Sequence, residues 1–123
     1  MVKALIVMVH GSPRPVANED MYGVLEVVRE RKLFDFVEAG FMECNEPTID
    51  EAIDSVVERG ARRVVAVPYF LHTGKHVADD LPGILDAARR RHPDVEFAMG
   101  KYIGASPHLT HILAARAREV RKA

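Results

Sequence analysis

Short apolar runs alternate four times along the chain with stretches whose apolar residues recur at helical spacing. Residues 4–9, 36–42, 63–67 and 95–100 are rich in β-branched, aromatic and small apolar side chains and too short for helices, so each predicts a strand. Between the second and third of these, Ile49, Ala52, Ile53, Val56 and Val57 fall at i, i+3, i+4, i+7 and i+8 and predict a helix with one apolar stripe. Thr48 with Glu51 makes a capping box at its start, and Gly60 stands where a left-handed residue ends a helix. Helices are also predicted over 18–31 and 80–91, the latter ending in Arg89, Arg90 and Arg91, which suit the negative end of the helix dipole. A fourth opens at Ser106-Pro107, an N-cap followed by proline, with Leu109, Ile112, Leu113 and Val120 on one face.

Strands that are nearly continuous in apolar character and alternate with helices predict an α/β fold: one open, mainly parallel four-stranded sheet with helices on both faces. Right-handed crossovers then bring all four strand-to-helix loops to the carboxyl edge, where open α/β sheets bind ligands. Those loops read HGSPRP, ECNEP, YFLHTGKH and KYIGASPHLTH, so five of the six histidines are expected at that edge. His92, at the end of the third helix, is expected at the opposite edge as a cation on a helix C-terminus.

Composition narrows the partners. Seventeen basic residues balance eighteen acidic ones, a charge pattern with no field to gather nucleic acid or an anionic membrane, so neither is an expected partner. The opening MVKALIVMV is too short to span a bilayer and reads as a buried strand. The single cysteine, Cys44, forms no disulfide within the chain and is expected as a small buried hydrophobe; together these features fit a single cytoplasmic domain over residues 1–123.

Imidazole and carboxylate gathered at one edge suit a first-row divalent metal, and imidazole also takes a proton near neutral pH. His10, His76, Glu43 and Glu46 are the candidates for that chemistry. Each has a plainer reading: His10 as a polar strand terminus, His76 as a partner of local backbone, the two acids as solvated residues near a helix start. His108 and His111 read as surface residues. His72 and His76 have the i, i+4 spacing of a helical ligand pair, yet Gly74 lies between them and Asp79, Asp80 and Pro82 place the helix start later, so the segment reads as a loop. Ser12 is turn chemistry or a contact, and Arg14, stiffened between Pro13 and Pro15, is placed to grip a carboxylate. No Gly-rich nucleotide motif and no nucleophile elbow is present.

HGS at the end of the first strand, FMECNEPTIDEA and GARRVVAVPYFLHTGKHVADDLP together resemble the short form of the sirohydrochlorin cobaltochelatases, the CbiX-type class II chelatases. The resemblance covers nearly the whole chain and implies a chelatase-like, flavodoxin-like domain working as a homodimer, with the macrocycle in a cleft. It implies insertion of Co2+, or of Fe2+ or Ni2+ on related routes, into sirohydrochlorin, with no permanently bound cofactor. By position, His10 and His76 would bind the incoming metal and His10 would accept a proton, with Glu43 as a third metal or proton group. Leu71, His72, Thr73, Gly74, Lys75, Asn45 and Glu46 would contact substrate, alongside Ser12 and Arg14. Many relatives carry glycine before the first histidine, where this chain has Val9. A non-catalytic metal or tetrapyrrole carrier on the same fold is the alternative from a different class.

Overall fold

Strands β1 (Lys3–Val9), β2 (Phe36–Phe41), β3 (Arg63–Pro68) and β4 (Glu96–Met99) form one sheet in the order β2-β1-β3-β4. Every neighbouring pair is parallel, with Leu5 opposite Val37 and Val65, and Val65 opposite Ala98. This is a computed structural model, and it describes residues 1–120; the last three residues of the expected 1–123 domain lie outside the described residues. Helices α1 (Glu19–Glu30), α2 (Ile49–Glu58), α3 (Leu81–Arg91) and α4 (His108–Glu119) follow the strands in turn.

The strand order explains which helix covers which face. The chain steps from β1 to β2 in one direction and from β2 past β1 to β3 in the other, so right-handed crossovers put α1 on one face and α2 and α3 on the opposite one. Side-chain alternation along β1 follows suit. Ala4, Ile6 and Met8 pack with α2 and α3, while Leu5, Val7 and Val9 pack with α1. Val9 is therefore a core residue here, filling the α1 side of the strand end with a branched side chain.

Helix α2 has both ends specified by sequence. Thr48 Oγ1 accepts from the Glu51 N–H at 3.1 Å while Glu51 Oε1 accepts from the Thr48 N–H at 2.9 Å. At the other end Gly60 has φ 108°, and the N–H groups of Gly60 and Ala61 donate to the carbonyls of Val57 and Val56, a complete Schellman closure. Its stripe of Ile49, Ala52, Ile53 and Val56 is buried to 2% exposure or less, worth about 1.5–3 kcal/mol for each branched side chain. The helix lies close over Gly40, where an added Cβ would sit 2.6 Å from Ile49 Cα.

Two expectations need correction. Helical backbone begins at His76, four residues before the expected start, because a five-residue wide turn over His76–Asp80, closed by the Leu81 N–H on the His76 carbonyl, leads directly into α3. Cys44 is exposed, at φ 68°, since it stands at the tip of a three-residue turn in which the Asn45 N–H donates to the Glu43 carbonyl at 2.8 Å. Helix α4 forms where predicted, with Ser106 Oγ accepting from the His108 N–H, but none of its residues is buried, and Ile112, Leu113 and Val120 of its apolar stripe stand 54%, 73% and 75% exposed.

Candidate active site

The order β2-β1-β3-β4 reverses direction between β1 and β3, and the crevice beyond their carboxyl ends is the topological switch point of the sheet. His10 follows the last residue of β1, and residues 69–75 leave β3 at the same edge. A cleft of about 330 Å³ opens there, lined by His10, Phe70, Leu71, His72, Gly74 and His76. Three of the five histidines expected at this edge thus share one hollow. His108 and His111 do not line it; their rings lie 6.5 Å apart on the first turn of α4.

The His10 and His76 ring centroids are 5.4 Å apart at 60°. Two imidazoles holding one ion at ~2.1 Å with tetrahedral angles would place their centroids about 5 Å apart, so the rings stand near the separation of a shared ion, which His10 reaches by turning a nitrogen away from Glu43 or Gly11. Their partners differ. His76 Nδ1 contacts Asp80 Oδ2 at 2.8 Å; with Nδ1–H donating, Nε2 keeps a free lone pair for a metal. The wide turn puts these two residues on the same side of the backbone. Asp80 was missed in the sequence because the segment reads as a loop there; the His76-x-x-x-Asp80 spacing becomes informative once helical backbone starts at His76.

His10 faces the other way chemically. Its Nε2 lies 2.8 Å from Glu43 Oε1, a contact that needs a proton between them, while Nδ1 lies 3.2 Å from the Gly11 carbonyl. Imidazole and carboxylate so paired can take up a proton and pass it outward. The side chains of His10 and His76 are each 48% exposed, so incoming ligands reach both. No group of three or more His, Cys, Asp and Glu residues arranged to hold a metal is present among the described residues.

Backbone locks hold this edge in place. Gly11, at φ 102°, brings its Cα against the second loop: a Cβ there would fall 1.9 Å from the Glu43 carbonyl oxygen. The Ser12 N–H donates to Asn45 Oδ1 at 2.7 Å, and Ser12 Oγ accepts from the Arg14 N–H at 3.1 Å. Asn45 and Ser12 therefore join the first two loops, which fixes Glu43 against His10. Gly104 plays the equivalent part for the third loop, its N–H donating to the Phe70 carbonyl at 2.9 Å. Neither glycine's role is readable from spacing, because each depends on a chain segment remote in sequence. Arg14, Glu46, Thr73 and Lys75 are exposed on the same loops, outside the walls of the cleft, and Gly74 has open space where a Cβ would project.

At the opposite edge His92 Nε2 lies 2.7 Å from Asp54 Oδ1, and the Arg91 guanidinium bonds the same oxygen at 2.9 Å. Burial raises the Asp54 pKa, but hydrogen bonds from His92 and Arg91 and their charges outweigh it and hold the carboxyl below its ordinary value. A hollow of about 420 Å³ at this edge is larger than the cleft, but Arg29 and Arg59 in its wall are tied to the Val37 carbonyl and Glu38.

An open parallel α/β sheet with paired imidazoles at its switch point defines a class of small ligand-binding α/β proteins, and sequence comparison narrows it. The CbiX family model matches residues 4–120, and the chain belongs to that family. It is 41% identical over 91 residues to a sirohydrochlorin cobaltochelatase of Methanocaldococcus jannaschii, across 74% of this chain and 64% of that one. To the sirohydrochlorin cobaltochelatase of Methanosarcina acetivorans it is 32% identical over 89% of this chain and 90% of the relative. Among solved structures, the sirohydrochlorin chelatase SirB from Bacillus subtilis subspecies spizizenii, in complex with cobalt, superposes with a TM-score of 0.89 at 28% identity, over 98% of this chain and 51% of that one. The chain thus spans about half of SirB and under two thirds of the Methanocaldococcus protein.

Proposed function

We propose that this protein is a cytosolic chelatase that inserts a divalent metal, Co2+ foremost, into sirohydrochlorin as a homodimer. The observation that carries the reading is the facing of His10 and His76 across an open cleft, one imidazole set against a carboxylate and the other with a free Nε2. Relatives named as cobaltochelatases and a cobalt-bound structural neighbour support the same reading.

Metallation exchanges two pyrrole protons for one divalent ion. A ligand set that releases the ion is as necessary as one that captures it, and two imidazoles with solvent completing the shell meet both needs better than a closed four-ligand site. The incoming ion is held by His76 Nε2 and by His10 after the proton between His10 and Glu43 has left. As the ion leaves His10 for the macrocycle nitrogens, the freed imidazole accepts the two pyrrole protons one after the other, and Glu43 relays each to solvent. Phe70 and Leu71 give the macrocycle an apolar wall, Gly74 leaves room for its face, and Arg14 and Lys75 reach its carboxylates. Ser12, Asn45, Glu46, His72 and Thr73 complete the rim. At about 330 Å³ the cleft is at the lower end of small-molecule sites and takes only part of a tetrapyrrole; a second copy supplies the rest of the enclosure.

Fe2+ is the nearest competitor for Co2+, since the chain is also 28% identical to a sirohydrochlorin ferrochelatase of Bacillus subtilis. Imidazole and carboxylate do not choose between these ions or Ni2+. The test is anaerobic absorbance of sirohydrochlorin with the protein and each ion in separate cuvettes. Multiple turnovers above the protein-free rate, lost in His10→Ala, are expected and rank the metals. Macrocycle binding without acceleration would instead identify a carrier.

A further inference from the structure

The three imidazoles that line the cleft differ in how many of their nitrogens are already bonded. His10 has both engaged, Nε2 with Glu43 and Nδ1 with the Gly11 carbonyl. His76 has one engaged, Nδ1 with Asp80. The His72 ring makes no hydrogen bond or ion pair among the described residues, although it lines the same hollow and is exposed. A neutral imidazole keeps one lone pair for a metal, and His72 has no bond to break before offering it.

The backbone around His72 accounts for this. The Phe70 carbonyl accepts from the Gly104 N–H at 2.9 Å, and a Cβ on Gly104 would fall 1.8 Å from the Leu71 carbonyl oxygen, so the chain is fixed as far as residue 71. It is fixed again at Gly74, whose carbonyl accepts from the Ala78 N–H at 2.9 Å. Only residues 72 and 73 lie between these anchors, too few to carry His72 away from the cleft. Its position is therefore held while its ring is left to turn.

The other two donors are not ready together. His76 Nε2 is open, but a proton lies between His10 and Glu43, and His10 binds an ion only after that proton has left. An ion arriving from solvent thus meets one imidazole of that pair, and no group of three or more His, Cys, Asp and Glu residues among the described residues is arranged to hold it.

We infer that His72 is the entry ligand, which takes the hydrated ion at the mouth of the cleft and shares it with His76 Nε2 while His10 is still protonated. One water leaves as the His72 nitrogen binds and another as His76 binds. When the His10 proton has passed to solvent through Glu43, His10 bonds the ion and His72 releases it. The ion is then held by His76 and His10, beside the base. This deepens the proposed function and rests on the ion entering this cleft, not on the macrocycle chemistry.

The test is Co2+ binding to apo protein without macrocycle, followed at equilibrium and by stopped flow through the visible bands of the bound ion, with each variant checked for folding by circular dichroism. His72→Ala should slow Co2+ association by at least about 10-fold, and His72→Gln should do the same, because an amide keeps hydrogen-bonding capacity but is a poor ligand. His10→Ala should retain a weakened Co2+ complex held by His72 and His76, and His10→Ala/His72→Ala should lose it. Unchanged association in His72→Ala, or equal Co2+ affinity in His10→Ala with and without His72, would overturn the entry role and leave the chelatase reading standing. So would a raised KM for sirohydrochlorin in His72→Ala that His72→Gln restores, with Co2+ association unchanged, since His72 would then be a contact for the macrocycle's carboxylates. A wild type that binds no Co2+ would overturn the entry role and the metal-binding cleft together.

Discussion

His10 and His92 each lie within 2.8 Å of a carboxylate, at opposite edges of the same sheet, and they do different things. At the amino edge Asp54 Oδ1 is shared by His92 and Arg91, and the His92 side chain is only 21% exposed, so the imidazole Nε2 and the guanidinium are already paired inside the protein. At the carboxyl edge Glu43 and Asp80 each serve one histidine, and the two imidazoles turn toward a common opening. A histidine–carboxylate pair is therefore not in itself a site. What separates the two edges is bonding capacity left unspent beside a cavity.

The largest contrast should come from removing the imidazoles. His10→Ala or His76→Ala should lower the metallation rate by at least ~100-fold, the scale of a lost positioned base or ligand, whereas His92→Ala should leave it within about twofold; steady-state rates compare them. Next comes the lock beneath the site. Gly11→Ala forces a Cβ into the Glu43 carbonyl and an L-residue into positive φ, so it should cost several-fold in rate and at least ~1–3 kcal/mol in stability, read by urea unfolding beside the rate assay.

Asp80→Asn should raise the metal concentration giving half-maximal rate by about 10-fold or more with a smaller change in kcat, and Asp80→Glu should recover part of the loss. Equal losses in kcat at saturating metal would assign Asp80 a different role. The smallest effect is electrostatic and belongs to the amino edge. Because the Asp54 pKa is lowered in the folded state, its stabilising contribution is present above the ordinary value of 3.8 and is lost as pH falls through the lowered one. The stability gap between wild type and Asp54→Asn, followed by thermal melts from pH ~5 downward, should narrow and close in stronger acid.

The fold was legible where local chemistry and burial agree. Helix α2 announces itself by its stripe, its capping box and Gly60, and all three act as expected. The strands read correctly to within a residue or two because both their faces are apolar. Helix α4 shows the limit: its stripe marks an apolar face but says nothing about what covers it. The start of α3 failed because glycine, acids and proline near 74–82 signal a break, while the backbone accommodates them in one wide turn. Within the site, His10, Glu43 and His76 were visible as chemistry-bearing residues in loops. Gly11, Asp80 and Gly104 were not, since their roles depend on contacts across the fold or on a turn whose type the sequence conceals.

The central claim is that the carboxyl edge, and not the amino edge, binds the incoming ion. Anaerobic titration of Co2+ into apo protein, read by calorimetry and by the visible bands of bound cobalt, tests it without any macrocycle. The account predicts binding in wild type and in His92→Ala, and its loss in His10→Ala/His76→Ala. Binding that survives in the double variant, or disappears in His92→Ala with the fold intact, would contradict it.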